Sequence, residues 1–239
     1  CIKMSDLDEI HRRLPDFPRT EHLPWKPNSN TDKIAESVEN LLESDRVSIE
    51  EKVDGSNCGM GILDDVPIIR NRNHVIHKGV NGKTPAKMQF SSVWNWWHEN
   101  RDLFEKLDEA GPYTIFGEWC VAQLGMKYTE LPSWFLAHTL YNYDDRKYVD
   151  TMVARTILAD CGFHLVPLLH WGKIPNSRFI EELGNKTKSQ FTDEEVEGVY
   201  LKICDGKYIT KSFKLVRQGF EPGKLWSDKV LNKNVLKKG

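Results

Sequence analysis

Residues 50–57 read EEKVDGSN, a lysine set beside two carboxylates and followed by an apolar residue and Asp54-Gly55. Val47, Ile49 and Val53 around it have the composition of a strand, and a DG dipeptide after a strand most often marks a tight hairpin turn. Read as a hairpin alone, the stretch leaves Lys52 as a solvated strand residue. Whether Lys52 is more than that depends on what the rest of the chain brings to it.

The chain has 239 residues, of which 10% are aromatic, enough for a substantial core. No stretch approaches the run of about eighteen apolar residues needed to cross a membrane, and the opening CIKMSDLDEIHRRL is too charged for a secretory signal. A cytoplasmic, or more broadly intracellular, setting with no membrane partner is expected. Cys1, Cys58, Cys120, Cys161 and Cys204 are scattered and odd in number, without C-x-x-C or H-x-x-x-H spacing, so reduced thiols and no zinc are expected. A net charge of −2 argues against a protein that coats polyanions wholesale. The charge is unevenly placed, however: from Lys211 onward eight Lys or Arg face only Glu221 and Asp228. Such a run is either a solvated tail or an edge that tracks phosphates.

Without repeats, low-complexity tracts or a Gly/Ser linker, the expectation is one domain over 1–239, with a basic C-terminal extension over about 218–239. TDKIAESVENLLESD places Ile34, Val38, Leu41 and Leu42 on one face behind Thr31 or Asp32, which predicts a helix leading into the Lys52 strand. SSVWNWWHENRDLFEKLDEAGP predicts a second helix closed by Gly111-Pro112, and DTMVARTILADCG a third closed by Gly162. Strands are expected over 57–63, 66–70, 112–121, 134–142, 198–204 and 207–216. Their irregular alternation with helices predicts a largely antiparallel α+β domain. Core packing is the expected role of Trp94, Trp96 and Trp97, ahead of base stacking.

A lysine amine can attack a phosphorus centre and hold the transferred group covalently, but at an ordinary pKa of about 10.4 very little of it is neutral near pH 7. A nucleophilic lysine therefore needs desolvation and neighbouring cations, and further cations to neutralise the phosphates it attacks. Candidates are present: Arg70 and Arg72 in IIRNRNH, Glu118 in YTIFGEWCV, Glu197 in VEGVYLKI, and Lys211, Lys214 and Arg217 in ITKSFKLVR.

The order K-x-D-G, Arg, F-G-E, E-G-V and a lysine-bearing strand resembles that of covalent nucleotidyltransferases, the superfamily of ATP-dependent DNA and RNA ligases and mRNA-capping guanylyltransferases. K-x-x-G alone occurs widely by chance; five motifs in this order are far more specific. EKVDGSN and IFGEW look most like RNA ligases, and FPRTEHLPW and LPSWFLAHTLYN resemble segments of a bacterial and phage group of them. The fold implied is the ligase-type nucleotidyltransferase domain, antiparallel sheets flanked by helices with the nucleotide in the groove between them.

The activity implied is joining of RNA 5′-phosphate and 3′-hydroxyl ends with ATP and Mg²⁺, Mn²⁺ being an alternative ion. Lys52 would form the lysyl-adenylate, with Glu51 and Asn57 lining the pocket and Arg72, or else Arg70, on the phosphate side. Glu118 would hold the ribose hydroxyls, since a carboxylate accepts two hydrogen bonds from a vicinal diol. Glu197 would place the metal, and Lys202 and Lys214 would meet phosphates. Two positions depart from the pattern. His138 stands where relatives stack a phenylalanine on adenine, so either its imidazole stacks or Phe135 does, core packing being the preferred role of Phe135. Ser212 interrupts the usual K-x-K, with Lys211 a substitute. The competing readings are the adenylation domain of a DNA ligase, a capping guanylyltransferase, and a non-catalytic relic that binds RNA ends.

Overall fold

A computed structural model of the chain describes residues 4–25, 33–79, 88–221 and 231–238. Strand alternation organises the stretch before Lys52: in β2 (Val47–Glu51) Val47 and Ile49 enter an apolar layer with Leu201, Phe213 and Leu215, while Ser48 and Glu50 take the opposite face. The layer is completed by β1 (Glu21–His22), β8 (Leu168–Gly172), β9 (Gly198–Cys204) and β10 (Ile209–Val216), in the order β1-β10-β9-β2-β8. A second sheet has the order β4-β3-β5-β6-β7, from β3 (Ser56–Leu63), β4 (Val66–Asn71), β5 (Tyr113–Trp119), β6 (Phe135–Asn142) and β7 (Lys147–Tyr148). Every pairing is antiparallel except β1 with β10. The α+β class and the antiparallel sheets are as expected.

Asp54-Gly55 is not a hairpin turn. The strands before and after it lie in different sheets, and residues 52–55 carry the chain across. A DG turn closes a hairpin only if its flanking strands pair, whereas the neighbours of β2 are β8 and β9.

Six helices are described: α1 (Met4–Arg13), α2 (Glu39–Glu43), α3 (Val93–Glu99), α4 (Arg101–Ala110), α5 (Thr151–Cys161) and α6 (Ser177–Lys186). The helix expected from residue 31 is reduced to α2. Thr31 and Asp32 lie outside the described residues, and residues 33–35 pair with β1 through His22 N–H to Lys33 O (2.8 Å) and Ala35 N–H to His22 O (2.8 Å). Sheet hydrogen bonds there override the helical spacing of Ile34, which is left exposed. The second expected helix is two, α3 and α4, divided at Asn100, whose side chain donates to Trp96 O at 2.7 Å. α5 is as expected, capped by the Asp150 carboxylate on Met152 N–H and closed by Gly162 at φ 98°.

Trp96 and Trp97 pack with Phe104, Trp119, Phe135 and Leu158 between the second sheet and α3–α5. Gly117 lets Phe135 lie flat on β5, since a Cβ there would come within 2.3 Å of Leu136 O and 2.6 Å of the Phe135 ring. Among the described residues no helix is long and apolar enough to cross a membrane.

Candidate active site

Lys52 leaves the end of β2 with its N–H on Gly198 O at 2.9 Å, which fixes its backbone against the start of β9. Its Nζ donates to Glu197 Oε1 at 2.5 Å and lies 5.7 Å from the centre of the Tyr200 ring, with the side chain only 16% exposed. Burial pulls the Lys52 ammonium down, but Glu197, Tyr200 and Asp54 together outweigh it and hold the group above its ordinary value. Desolvation is thus as the sequence predicts, whereas the expected cationic neighbour is a carboxylate. Glu197 Oε2 is buried without a hydrogen-bond partner, and burial pushes this carboxyl up to about 7 against the pull of Lys52.

Across the groove, Glu118 near the end of β5 lies opposite Asn57 of β3, whose Oδ1 is likewise buried without a partner. Burial lifts the Glu118 carboxyl to about 8, Glu197 and Asp54 adding to it and Lys52 and Arg72 opposing. Its Oε1 is 3.7 Å from His138 Nε2 on β6. Burial, with Lys202 and Lys52, keeps that imidazole well below its ordinary value, so the contact joins two neutral groups at neutral pH and is no ion pair. The Phe17 ring meets His138 edge-on at 5.3 Å, and Tyr200 lies 30° from parallel to it at 6.4 Å. With Tyr148 and Lys202 these groups enclose a cavity of about 340 Å³, within the range that holds a small-molecule ligand.

Lys202 is held by Glu50 Oε2 at 2.6 Å and by His138 O at 2.5 Å, and Glu50 is shared with Arg155 at 3.0 Å. Cross-strand register explains the assembly: Glu50 and Lys214 both pair with Tyr200, and Ser212 pairs with Lys202, so these side chains share the groove face of the first sheet. Lys214 contributes positive charge at Glu197. Glu51 lines the cavity while accepting from Ser189 Oγ at 2.6 Å. Phe17, Glu50, Tyr148 and Tyr200 were not anticipated as lining groups; for Glu50 and Tyr200 the signal was strand alternation, each being an even number of positions from Lys52 or Lys202.

The remaining candidates are placed differently. Arg70 is 1% exposed and bonds Leu14 O at 2.9 Å and the Asp16 carboxylate, so it anchors the chain after α1 and is no phosphate ligand. Arg72 is exposed, and its charge reaches Glu118 and Tyr200. Phe135 is buried against Trp96 at 5.6 Å, in the core and unable to stack on a base. Lys211 stands at the exposed rim, 3.9 Å from Glu21.

Among the described residues no cluster of three or more His, Cys, Asp or Glu forms a ready-made metal site. The unpartnered Glu197 Oε2 nevertheless fits a cation that takes its other ligands from a phosphorylated substrate and water, as magnesium commonly does.

A family model described as RNA ligase matches residues 45–216. No curated protein matches the sequence. Among solved structures, the Naegleria gruberi RNA ligase with PPi matches with a TM-score of 0.61 at 19% identity, over 84% of this chain and 60% of that one. A variant of that ligase with ATP and Mn gives 0.57 at 19% identity over 84% and 59%, and one with AMP and Mn gives 0.55 at 19% over 88% and 61%. The shared property at this identity is the fold, and the chain spans about 60% of the length of the ligase it matches.

Proposed function

The chain belongs to the RNA ligase family, and from that premise we propose that it is an ATP-dependent RNA ligase acting on 5′-phosphate and 3′-hydroxyl ends, with Lys52 as the nucleophile. The observation that carries the reading is the buried contact between Lys52 Nζ and Glu197 beside a cavity of about 340 Å³. It is a lysine out of bulk water, 5.7 Å from the ring of Tyr200, which lines a space of ligand size. That Naegleria structures contain PPi, ATP and AMP with Mn supports ATP and a divalent ion as the co-substrates.

The chemistry is three displacements at phosphorus on one nucleotidyltransferase unit. The neutral Lys52 amine attacks the α-phosphorus of ATP; the P–N bond forms, the bond to the β-phosphate oxygen breaks, and pyrophosphate leaves as the nitrogen loses a proton. An oxygen of the RNA 5′-phosphate then attacks the same phosphorus, and the lysine nitrogen leaves, taking up a proton. Finally the 3′-hydroxyl oxygen attacks the terminal RNA phosphorus, its proton is lost, and AMP leaves. His138, Phe17 and Tyr200 bound the base side, Glu118 receives the ribose, and Lys202, Lys214 and Arg72 face the phosphates. A divalent cation at Glu197 would draw off the negative charge that holds Lys52 protonated and would neutralise phosphate oxygens.

Incubation with α-labelled ATP, and separately GTP, tests this. An acid-labile adduct from ATP alone, chased into joined RNA, is expected. Labelling from GTP alone indicates a capping-type transferase, joining of DNA only a DNA ligase, and no labelling from either a binding relic.

The basic end of the chain is expected to act on RNA and not on ATP. Lys233, Lys237 and Lys238 are exposed, while Lys224 and Lys229 lie outside the described residues. Changing all five to glutamine should leave adduct formation unchanged, weaken RNA binding, and flatten its log–log salt dependence by somewhat under about one unit for each RNA phosphate that these lysines neutralise. Unchanged RNA affinity and slope in that variant would place RNA elsewhere.

A further inference from the structure

Beyond the part that matches the family, residues 231–238 return to the nucleotide-binding unit and bridge to it at two places, Lys233 to Ala122 and Leu236 to Leu131. Between those bridges Asn234 is 4% exposed and uses its whole amide group. Nδ2 donates to Cys120 O at 2.9 Å and to Ala122 O at 3.0 Å, and Oδ1 accepts Tyr128 N–H at 2.9 Å. Its backbone N–H adds a bond to Val121 O at 3.1 Å. One side chain therefore ties together the two ends of the loop over 120–128.

That loop grips the Lys52 turn. Its tip donates two backbone N–H groups to Asp54 Oδ2, from Gly125 at 2.5 Å and Met126 at 2.7 Å, and the Tyr128 hydroxyl accepts the Asp54 N–H at 2.7 Å. Asp54 is two residues from Lys52 in the segment that crosses between the sheets. The crossing has no ladder of its own: the Lys52 N–H on Gly198 O fixes its start, and these bonds set where it runs beyond that point. Loop shape is set in turn by the asparagine at its base.

We infer that Asn234 is a positioning residue for adenylation, holding the Lys52 amine on line through the 120–128 loop and Asp54. The inference rests on the reading of Lys52 as nucleophile. It gives residues 231–238 a part in the ATP step separate from any contact of their lysines with RNA. Deletion of the chain from residue 224 then removes a groove support as well as charge.

The test uses the full chain and single-turnover formation of the labelled adduct at saturating Mg²⁺. Asn234→Asp keeps the shape but sets an oxygen against the carbonyls of Cys120 and Ala122; Tyr128→Phe removes only the hydroxyl at the other end of the relay. Each should lower the rate constant about tenfold or more while the ATP concentration for half-maximal rate moves less than about threefold, because misplacement of a nucleophile costs rate more than binding. The labelled fraction at completion should equal that of the unaltered protein, and the double variant should be no slower than the slower single one, since both act through one relay.

An unaltered rate constant in Tyr128→Phe, or losses that multiply in the double variant, would overturn the inference. A smaller labelled fraction at an unaltered rate constant would also overturn it, by showing that Asn234 serves only folding. Should Asn234→Asp fail to fold, Tyr128→Phe alone decides. Lys52→Ala run alongside separates the two claims: label surviving in it defeats the functional reading, whereas a silent Lys52→Ala beside fast relay variants defeats this inference alone.

Discussion

Lys52→Ala is expected to form no protein–AMP adduct and yet to remain folded. The loss is total because the variant lacks the atom that would bond to phosphorus, and Lys202 in the groove is already engaged by Glu50 and the His138 carbonyl. The folding argument needs a magnitude. Removing one partner of a buried ion pair ordinarily costs about 3–5 kcal/mol, because a charge is left stranded. Here the stranded group is Glu197, already pushed up to about 7 with Lys52 present, and the removal of that cation lifts it further. It takes up a proton near neutral pH and the penalty is largely avoided. Thermal unfolding monitored beside the labelling assay checks both halves, and label in a folded Lys52→Ala protein ends the proposed mechanism.

The second large effect concerns the carboxyls. Glu118→Ala and Glu197→Ala should each slow adduct formation by about 10² or more, the scale of losing one preorganised electrostatic contact. Were they ordinary carboxylates at strand ends, the effect would be close to none. Glu197→Gln carries an additional signature in pH. Glu197 contributes to holding Lys52 above its ordinary value, so the lysine is charged through neutral pH and the single-turnover rate should climb with pH as neutral amine accumulates. Removing the carboxylate removes that upward pull, so the climb should begin at lower pH even though the maximum rate falls. Single-turnover labelling at saturating Mg²⁺ reads the rate, and labelling across pH at limiting Mg²⁺, where the Glu197 carboxylate still faces Lys52, reads the climb. An unaltered rate and profile would show that Glu197 is not part of the reaction.

Much of the groove was legible because it is built from strands whose motifs keep their order along the chain, and strand parity decides which side chains face inward. Lys52, Glu118, His138, Glu197 and Lys202 all stand in the motifs that carry the resemblance; Glu118, His138 and Lys202 line the cavity, and Lys52 and Glu197 contact one another. Phe135 and His138 part on β6, one in the core and one in the groove, at a bulge that shifts the β5–β6 register at His138 and that parity does not register. Arg70 and Arg72 could not be separated by parity. What parts them is a local turn, in which Asn71 Oδ1 accepts the N–H groups of Asn73 and His74 and takes Arg72 out of the ladder that holds Arg70. The helix expected from residue 31 was lost to pairing with β1, a long-range competitor that periodicity does not register. The hold of Asn234 on the 120–128 loop was illegible for the same reason, since it joins residues more than a hundred positions apart.

The two halves of the groove differ in how firmly they are fastened. Phe17 to Glu21 form a wall that joins the first sheet through β1, a two-residue parallel strand, whereas β9 and β10 pair along nearly their whole length. Local unfolding follows the number of backbone bonds broken and the apolar area exposed, so the wall detaches in a smaller fluctuation than any that parts β9 from β10. Parting β1 from β10 breaks neither the Lys52–Glu197 contact nor the pairing of Glu118 with Asn57. Amide hydrogen exchange at His22, Leu23 and Ala35, compared with that along β9, gives the free-energy difference between the two openings.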